Sequence, residues 1–242
     1  MAAAENETAD VYILNIGKFR GVSGLPSVLL QYEGEKVAVR DQHGKVMGHY
    51  IKRPDSRTSS VDFFGRHRFT DEEVKDVPTV LYFQRSDRSS FGDFATQSSA
   101  LILSGKAAAI LQQIEPGKHQ YFPLKVKAAK RYQDKLQAMG HVVVNVYQTA
   151  QVVDLERSRL KTDNFVPPPP TPPRTWHYLL DTWPDNSVVV DPTKAKGLHL
   201  WGGGVEGFNW VLYHQLFVSR ALKEAWEAAG CGPVGYIPCR NV

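Results

Sequence analysis

The chain has 242 residues, 42% of them hydrophobic and 22% charged, and its 29 Lys and Arg stand against 25 Asp and Glu for a net charge of +4. A chain this long buries roughly 70–75% of the surface that its unfolded form exposes, so a packed core forms without staples and wholesale disorder is excluded. The charge is mixed rather than basic, which removes charge alone as a reason to expect nucleic acid, and no apolar run approaches the roughly 18 residues of a membrane span.

The order Glu5, Glu7, Asp10 at the start has no basic, then apolar, signal-peptide pattern, and the two cysteines, Cys231 and Cys239, make neither a disulfide framework nor a zinc spacing. A reducing cytoplasm is therefore the expected compartment. Val11 to Ile16 (VYILNI) reads as the first strand. Val28 to Tyr32 and Lys36 to Arg40 read as a hairpin closed over Glu33-Gly34-Glu35. Asp41 to Ser60 reads as a turn and irregular segment, Val80 to Gln84 as a strand, and no helix is expected before residue 95.

From Ser104 the period changes. Ala107, Ile110, Leu111 and Ile114 recur at helical spacing behind a serine suited to cap them, and Pro116-Gly117 ends the helix. Tyr121 to Val126 (YFPLKV) is extended, and His141 to Val153 (HVVVNVYQTAQVV) is β-branched enough for one long buried strand. The same pattern returns near the end, where Ser219 precedes a helix carrying Ala221, Leu222, Ala225, Trp226 and Ala229, Gly230 stops it, and Gly235 to Cys239 is extended. Ser104 to Pro123 and Ser219 to Pro238 have the same spacing, so the sequence holds two similar helix–turn–strand units. Between them, Val166 to Arg174 (VPPPPTPPR) can neither pair in a central strand nor continue a helix, and reads as a stiff spacer.

Motifs that could carry chemistry fail on context. Gly202, Gly204 and Gly207 spell GxGxxG, but too little chain follows for the βαβ unit that a dinucleotide needs, which leaves a glycine loop. The eight histidines form no metal or triad pattern, and structural roles are expected for them, including His199 on a strand face. Ser104 and Ser219 lie in no nucleophile elbow, and the two thiols have no activator nearby in sequence. Lys52 to Arg68 interleaves basic residues with Phe63 and Phe64, as a nucleic-acid surface would, but Asp55, Asp62 and Asp71-Glu72-Glu73 interrupt and follow it.

Several blocks taken together resemble a known family: GDF (Gly92 to Phe94), ALILSGKAAAILQQI with YFPLKV after it, HVVVNVYQTAQVVDLERS (His141 to Ser158), VVVDPTKAKGLHLW (Val188 to Trp201) and LFVSRALKEAWEAAGCGPVGYIP (Leu216 to Pro238). In order and type they are similar to the eleventh numbered immunity family of bacterial polymorphic toxin systems. The proline insert and the Gly202 to Gly207 stretch stand outside that pattern, and Met1 to Ser90 resembles it only in beginning with a strand. The resemblance implies a non-enzymatic protein of bacterial competition, encoded beside its toxin and silencing it by direct stoichiometric binding, with type VI secretion among the delivery routes. It carries over no catalytic residue, metal or cofactor.

The expected fold is α+β, mostly antiparallel sheet with a few short helices: a β-rich segment at 1–95, then an α+β immunity-type domain at 96–242 with the proline insert at 166–173. The expected partner is a cognate toxin or secreted effector, with no membrane, nucleic acid disfavoured and a homodimer left open. Anchors are chosen by residue type and loop-like setting: Arg53, Phe63, Phe64, Arg66, Trp176, Trp183 and Trp210. Two rival readings remain: a nucleic-acid-binding module on 52–68 and a nucleotide-binding enzyme on 202–207.

Overall fold

A computed structural model describes residues 10–16, 28–31, 36–40, 46–51, 67–83, 92–97, 100–165, 174–178, 188–206, 209–211 and 215–242. The chain opens with β1 (Val11–Asn15), β2 (Val28–Gln31), β3 (Lys36–Arg40), β4 (Val46–Ile51), α1 (Asp71–Val74) and β5 (Val80–Phe83). Next come β6 (Phe94–Gln97), β7 (Ala100–Leu103), α2 (Gly105–Ile114), β8 (Gln120–Pro123), β9 (Lys125–Lys127), α3 (Lys130–Ala138), β10 (Val142–Asn145) and β11 (Thr149–Ala150). The remainder is β12 (Lys161–Phe165), β13 (Arg174–Tyr178), β14 (Val189–Val190), a 3-10 turn at Pro192–Ala195, β15 (Leu200–Gly203), β16 (Val205–Glu206), β17 (Asn209–Val211), β18 (Leu216–Ser219), α4 (Arg220–Ala228), β19 (Gly235–Pro238) and β20 (Arg240–Asn241). The fold is α+β, with mostly antiparallel sheets and short helices.

Two sheets organise the core. One runs β11-β15-β18-β1-β19 and the other β6-β7-β10-β8. Alternation along their strands assigns each face a partner. Leu101, Leu103 and Val144 point from the second sheet, and Leu14, Leu200 and Val218 from the first, into a shared layer that also holds Ala107, Leu111, Leu222 and Trp226 of α2 and α4. On the far side of the second sheet, Ile102 and Val143 meet Leu81, Val126 and Leu136. On the far side of the first, Ile13, Trp201 and Phe217 meet Val152, Val188 and Val190, and the rings of Trp201 and Phe217 stack at 5.8 Å.

The two helix–turn–strand units are real and larger than the sequence suggests. In each, a strand runs through a serine cap into a helix and returns as a second strand, leaving a slot that a third strand fills: β10 lies between β7 and β8, and β1 between β18 and β19, antiparallel throughout. Ser104 Oγ accepts from the Ala107 amide and Ser219 Oγ from the Leu222 amide, each at 3.2 Å. Pro123 and Pro238 close the returning strands, paired with Val142 and Tyr12. Leu124 N–H donates to His141 O, and Cys239 N–H to Val11 O, so the next residue inward, the proline, turns its nitrogen away from the partner strand. Both returning strands are sheet edges. A proline there removes the outward donor that would invite another chain to pair.

Several sequence expectations need correction. The hairpin is β3 with β4, whereas β2 pairs with β5. β4 falls inside a segment read as irregular because Gly48 and His49 dilute its apolar pattern. A four-residue helix, α1, occurs before residue 95; Thr70 and Glu73 form a reciprocal capping box there, a signal hidden in a stretch read only as acidic. The expected long strand at 141–153 breaks after Asn145, and the chain crosses to the other sheet at Thr149. The extended 121–126 stretch likewise divides between β8 and β9, in different sheets. Apart from these corrections, residue 95 lies within β6, and strands from both 1–95 and 96–242 share sheets.

Candidate partner-binding surface

A four-stranded sheet, β12-β13-β17-β16, carries two of the chosen anchors. β13 is antiparallel to β12 and parallel to β17, and its register sets Trp176 directly beside Trp210. Asp163 faces Trp176 from β12, and Val205 faces Trp210 from β16, so the four positions form one row across the sheet. Both tryptophans therefore occupy strands, not loops. Their aromatic, β-favouring side chains suit that setting, and a pairing made by strands distant in sequence leaves no local signature. The pair Phe165 and Arg174 is also in register, so the strand ends on either side of 166–173 lie next to each other in the sheet. The proline tract itself, Arg53, Phe63, Phe64, Arg66, Trp183 and most of the Lys52 to Arg68 stretch lie outside the described residues.

Gly207 of the glycine motif lies outside the described residues, and Gly202 is in a strand rather than a loop. Gly202 and Gly203 belong to β15 and pair in parallel with Thr149 and Ala150, and the chain continues into β16 instead of a helix. Gly204 is glycine for space, since a Cβ there would come within 2.6 Å of Gln151 Cγ. A phosphate cradle needs backbone amides at a helix start, and here the Gly202 and Gly203 amides are spent on the Gln148 and Gln215 carbonyls.

Several described polar groups that sequence reading missed join separate parts of the fold. Glu115, just after α2, is 1% exposed, yet it accepts from the His199 amide at 2.7 Å, the Leu200 amide at 3.0 Å, and lies 2.8 Å from His119 Nε2. Burial pushes its carboxyl up, but those hydrogen bonds and the His119 charge hold it below the usual carboxylate range. The i, i+4 spacing of Glu115 and His119 was the available sequence signal. Asp93, in the GDF block, accepts from Ser104 Oγ at 2.6 Å and from the Gly232 amide at 3.0 Å. Lys106 donates to the Ala229 and Gly230 carbonyls at the end of α4, and the Trp226 indole donates to Ala107 O at 3.0 Å. Asn145 donates to His67 O and Gln120 Oε1, while Gln120 grips the Phe69 backbone from both sides.

None of these arrangements has triad geometry. His199 sits just before β15 rather than alternating within a strand; its Nδ1 lies 2.8 Å from Ser219 Oγ, but Glu115 meets the His199 backbone, not the ring, and Ser219 Oγ is also occupied as a helix cap. Burial raises the Cys231 thiol, with Asp93 adding to it, and pushes Cys239 up to about 12, so both resist becoming thiolates at neutral pH. Among the described residues no group of three or more His, Cys, Asp or Glu is placed to hold a metal, and no helix is long and apolar enough to cross a membrane.

The model of the immunity protein family (Imm11) matches residues 36–241, a span that reaches back well before Gly92 and includes the Trp176 and Trp210 strands. No curated protein matches the chain.

Proposed function

We propose, because the chain belongs to the immunity protein family (Imm11), that it protects its host by binding one cognate toxin stoichiometrically and covering that toxin's active site or substrate entrance. The family match over 36–241 carries this reading. The partner is a toxin of a bacterial polymorphic system, delivered by a route such as type VI secretion and met in the cytoplasm. The chain acts without catalysis. Affinity suffices for such a role, since tight inhibitor pairs reach a Kd of about 10⁻¹³ M.

The contact surface centres on the Trp176 and Trp210 row, with Arg53, Phe63, Phe64, Arg66 and Trp183 as further anchors. Large aromatic and arginine side chains supply most of the energy in interfaces of this kind. Co-expression tests the whole reading: the toxin encoded beside this chain should kill cells alone and spare them when the chain is present, with a stoichiometric complex on purification. Replacing the seven anchors by alanine should abolish both rescue and complex. Rescue that persists in the seven-fold variant would move the interface elsewhere, and a toxin that neither binds nor is neutralised would end the proposal.

A further inference from the structure

One stretch of the described chain is dense in positive charge. Lys125, Lys127, Lys130, Arg131 and Lys135 fall within eleven residues that contain a single acid, Asp134. The segment therefore carries a net charge of +4 within eleven residues.

The fold makes a rigid feature of it. β9 is the edge of the sheet β2-β5-β9, and α3 is fastened along that edge. Val126 N–H donates to Gln137 Oε1 at 3.1 Å, Ala128 N–H donates to Gln133 Oε1 at 2.9 Å, and Gln133 Nε2 donates to Val126 O at 2.7 Å. The buried side chains of Val126 and Leu136 anchor the pair from below, and all five basic side chains are exposed. Six cations elsewhere, Lys75, Lys106, Lys118, Arg157, Arg220 and Lys223, each lie within 4 Å of a carboxylate. Among the described residues Lys127, Lys130 and Lys135 have no such ion pair.

We infer that this β9–α3 ridge is an electrostatic docking face for an acidic surface of the cognate toxin, an inference that rests on the immunity reading and adds the chemistry of the partner's face. A dense array of like charges on a rigid element steers an oppositely charged protein into encounter and acts mainly on association rate.

The test is surface binding kinetics with the adjacent-gene toxin, immobilised in a catalytically dead form. A triple variant, Lys127→Glu, Lys130→Glu and Lys135→Glu, should associate at least tenfold more slowly at low salt with its dissociation rate unchanged. A second triple, Arg159→Glu, Lys194→Glu and Lys196→Glu, makes the same change in net charge at other exposed positions and should associate nearly as fast as wild type. Unaltered melting temperatures show that each variant folds; if the glutamate triple does not, a glutamine triple replaces it and should slow association less but measurably. Equal rates in all proteins, or equal slowing by both triples, would overturn the inference while leaving the immunity reading intact. Wild-type protein that ignores the toxin would defeat the immunity reading itself. Wild-type protein that ignores the toxin and binds a 20-nucleotide RNA or DNA, with loss in the β9–α3 triple, would reassign the ridge to nucleic acid.

Discussion

Replacing Glu115 by glutamine should cost the protein far more than so small a chemical change suggests. The carboxylate has two oxygens, and both are in use: one faces the His199 amide and the other the Leu200 amide and His119. Glutamine keeps the size but has one oxygen and one NH2, so whichever way the amide turns, it sets a donor against a backbone N–H. One buried amide is then left unsatisfied, at about 1–3 kcal/mol, and the charge-assisted part of the remaining bonds is lost as well. A total of about 2–4 kcal/mol follows, which at this chain length corresponds to a fall in Tm of roughly 5–15 °C. Calorimetry at pH 7 measures it, with Lys118→Met as the comparison, because Lys118 sits 3.8 Å from the same carboxylate but is partly solvated and should matter by about 0–1 kcal/mol. A Glu115→Gln protein melting within 2 °C of wild type, or no lower than the Lys118 variant, would refute the assignment of Glu115 as a joint between α2 and β15.

Ser104→Ala should destabilise by about 1–3 kcal/mol and Ser219→Ala by about 0.5–2, since both lose a helix cap, but Ser104 also abandons the buried Asp93 carboxylate whereas Ser219 abandons the half-buried His199 ring; chemical denaturation ranks them. Gly92→Ala should cost about 1–3 kcal/mol, because the added Cβ would come within 2.5 Å of Pro233 Cδ and 2.7 Å of Gly232 O, and a stability unchanged in urea would contradict that packing. Stability should also decline on mild acidification through His141. Burial pushes its imidazole down, only partly opposed by hydrogen bonds to the Gly92 and Leu136 backbone and by Asp93, so the unfolded chain takes up the proton first. The folded protein therefore loses stability as pH falls below the unfolded value near 6.5, and levels off once the folded imidazole is itself protonated. Melting followed from pH 8 to 5 should show this slope, and a His141→Gln protein should show less of it.

What the sequence discloses and what it hides divide along a physical line. The serine caps, the α2 and α4 periods and the stop at Gly230 are local, each fixed by residues within a turn or two, and all were legible. α3 was equally local, with Tyr132 and Leu136 at helical spacing and Gly140 in the left-handed conformation after it, yet its many polar residues masked a helix that buries chiefly Leu136. Pairing was not legible. Nothing near Lys36 says that its strand turns to Val46 rather than back to Val28, and nothing near Asn145 says that the chain will change sheets, because those choices are decided by partners far along the chain. The surface suffers most from this: Trp176 and Trp210 are neighbours only through a parallel register that no local pattern announces. The run of basic residues on β9 and α3, by contrast, was in plain view as composition, but seeing it as one feature required knowing that strand and helix are fastened together.

The slot in each unit has a consequence for how the protein comes into being. The sheet containing β10 closes from residues 94 to 145, whereas β1 at residues 11–15 must wait for partners at 216–219 and 235–238. Synthesis thus presents an apolar strand long before its two neighbours exist, and the central sheet can assemble well ahead of the one that covers it. The supply of folded protein then depends on elapsed translation as well as on stability, and the interval between making β1 and sealing it is the window in which chaperones and proteases meet the exposed strand.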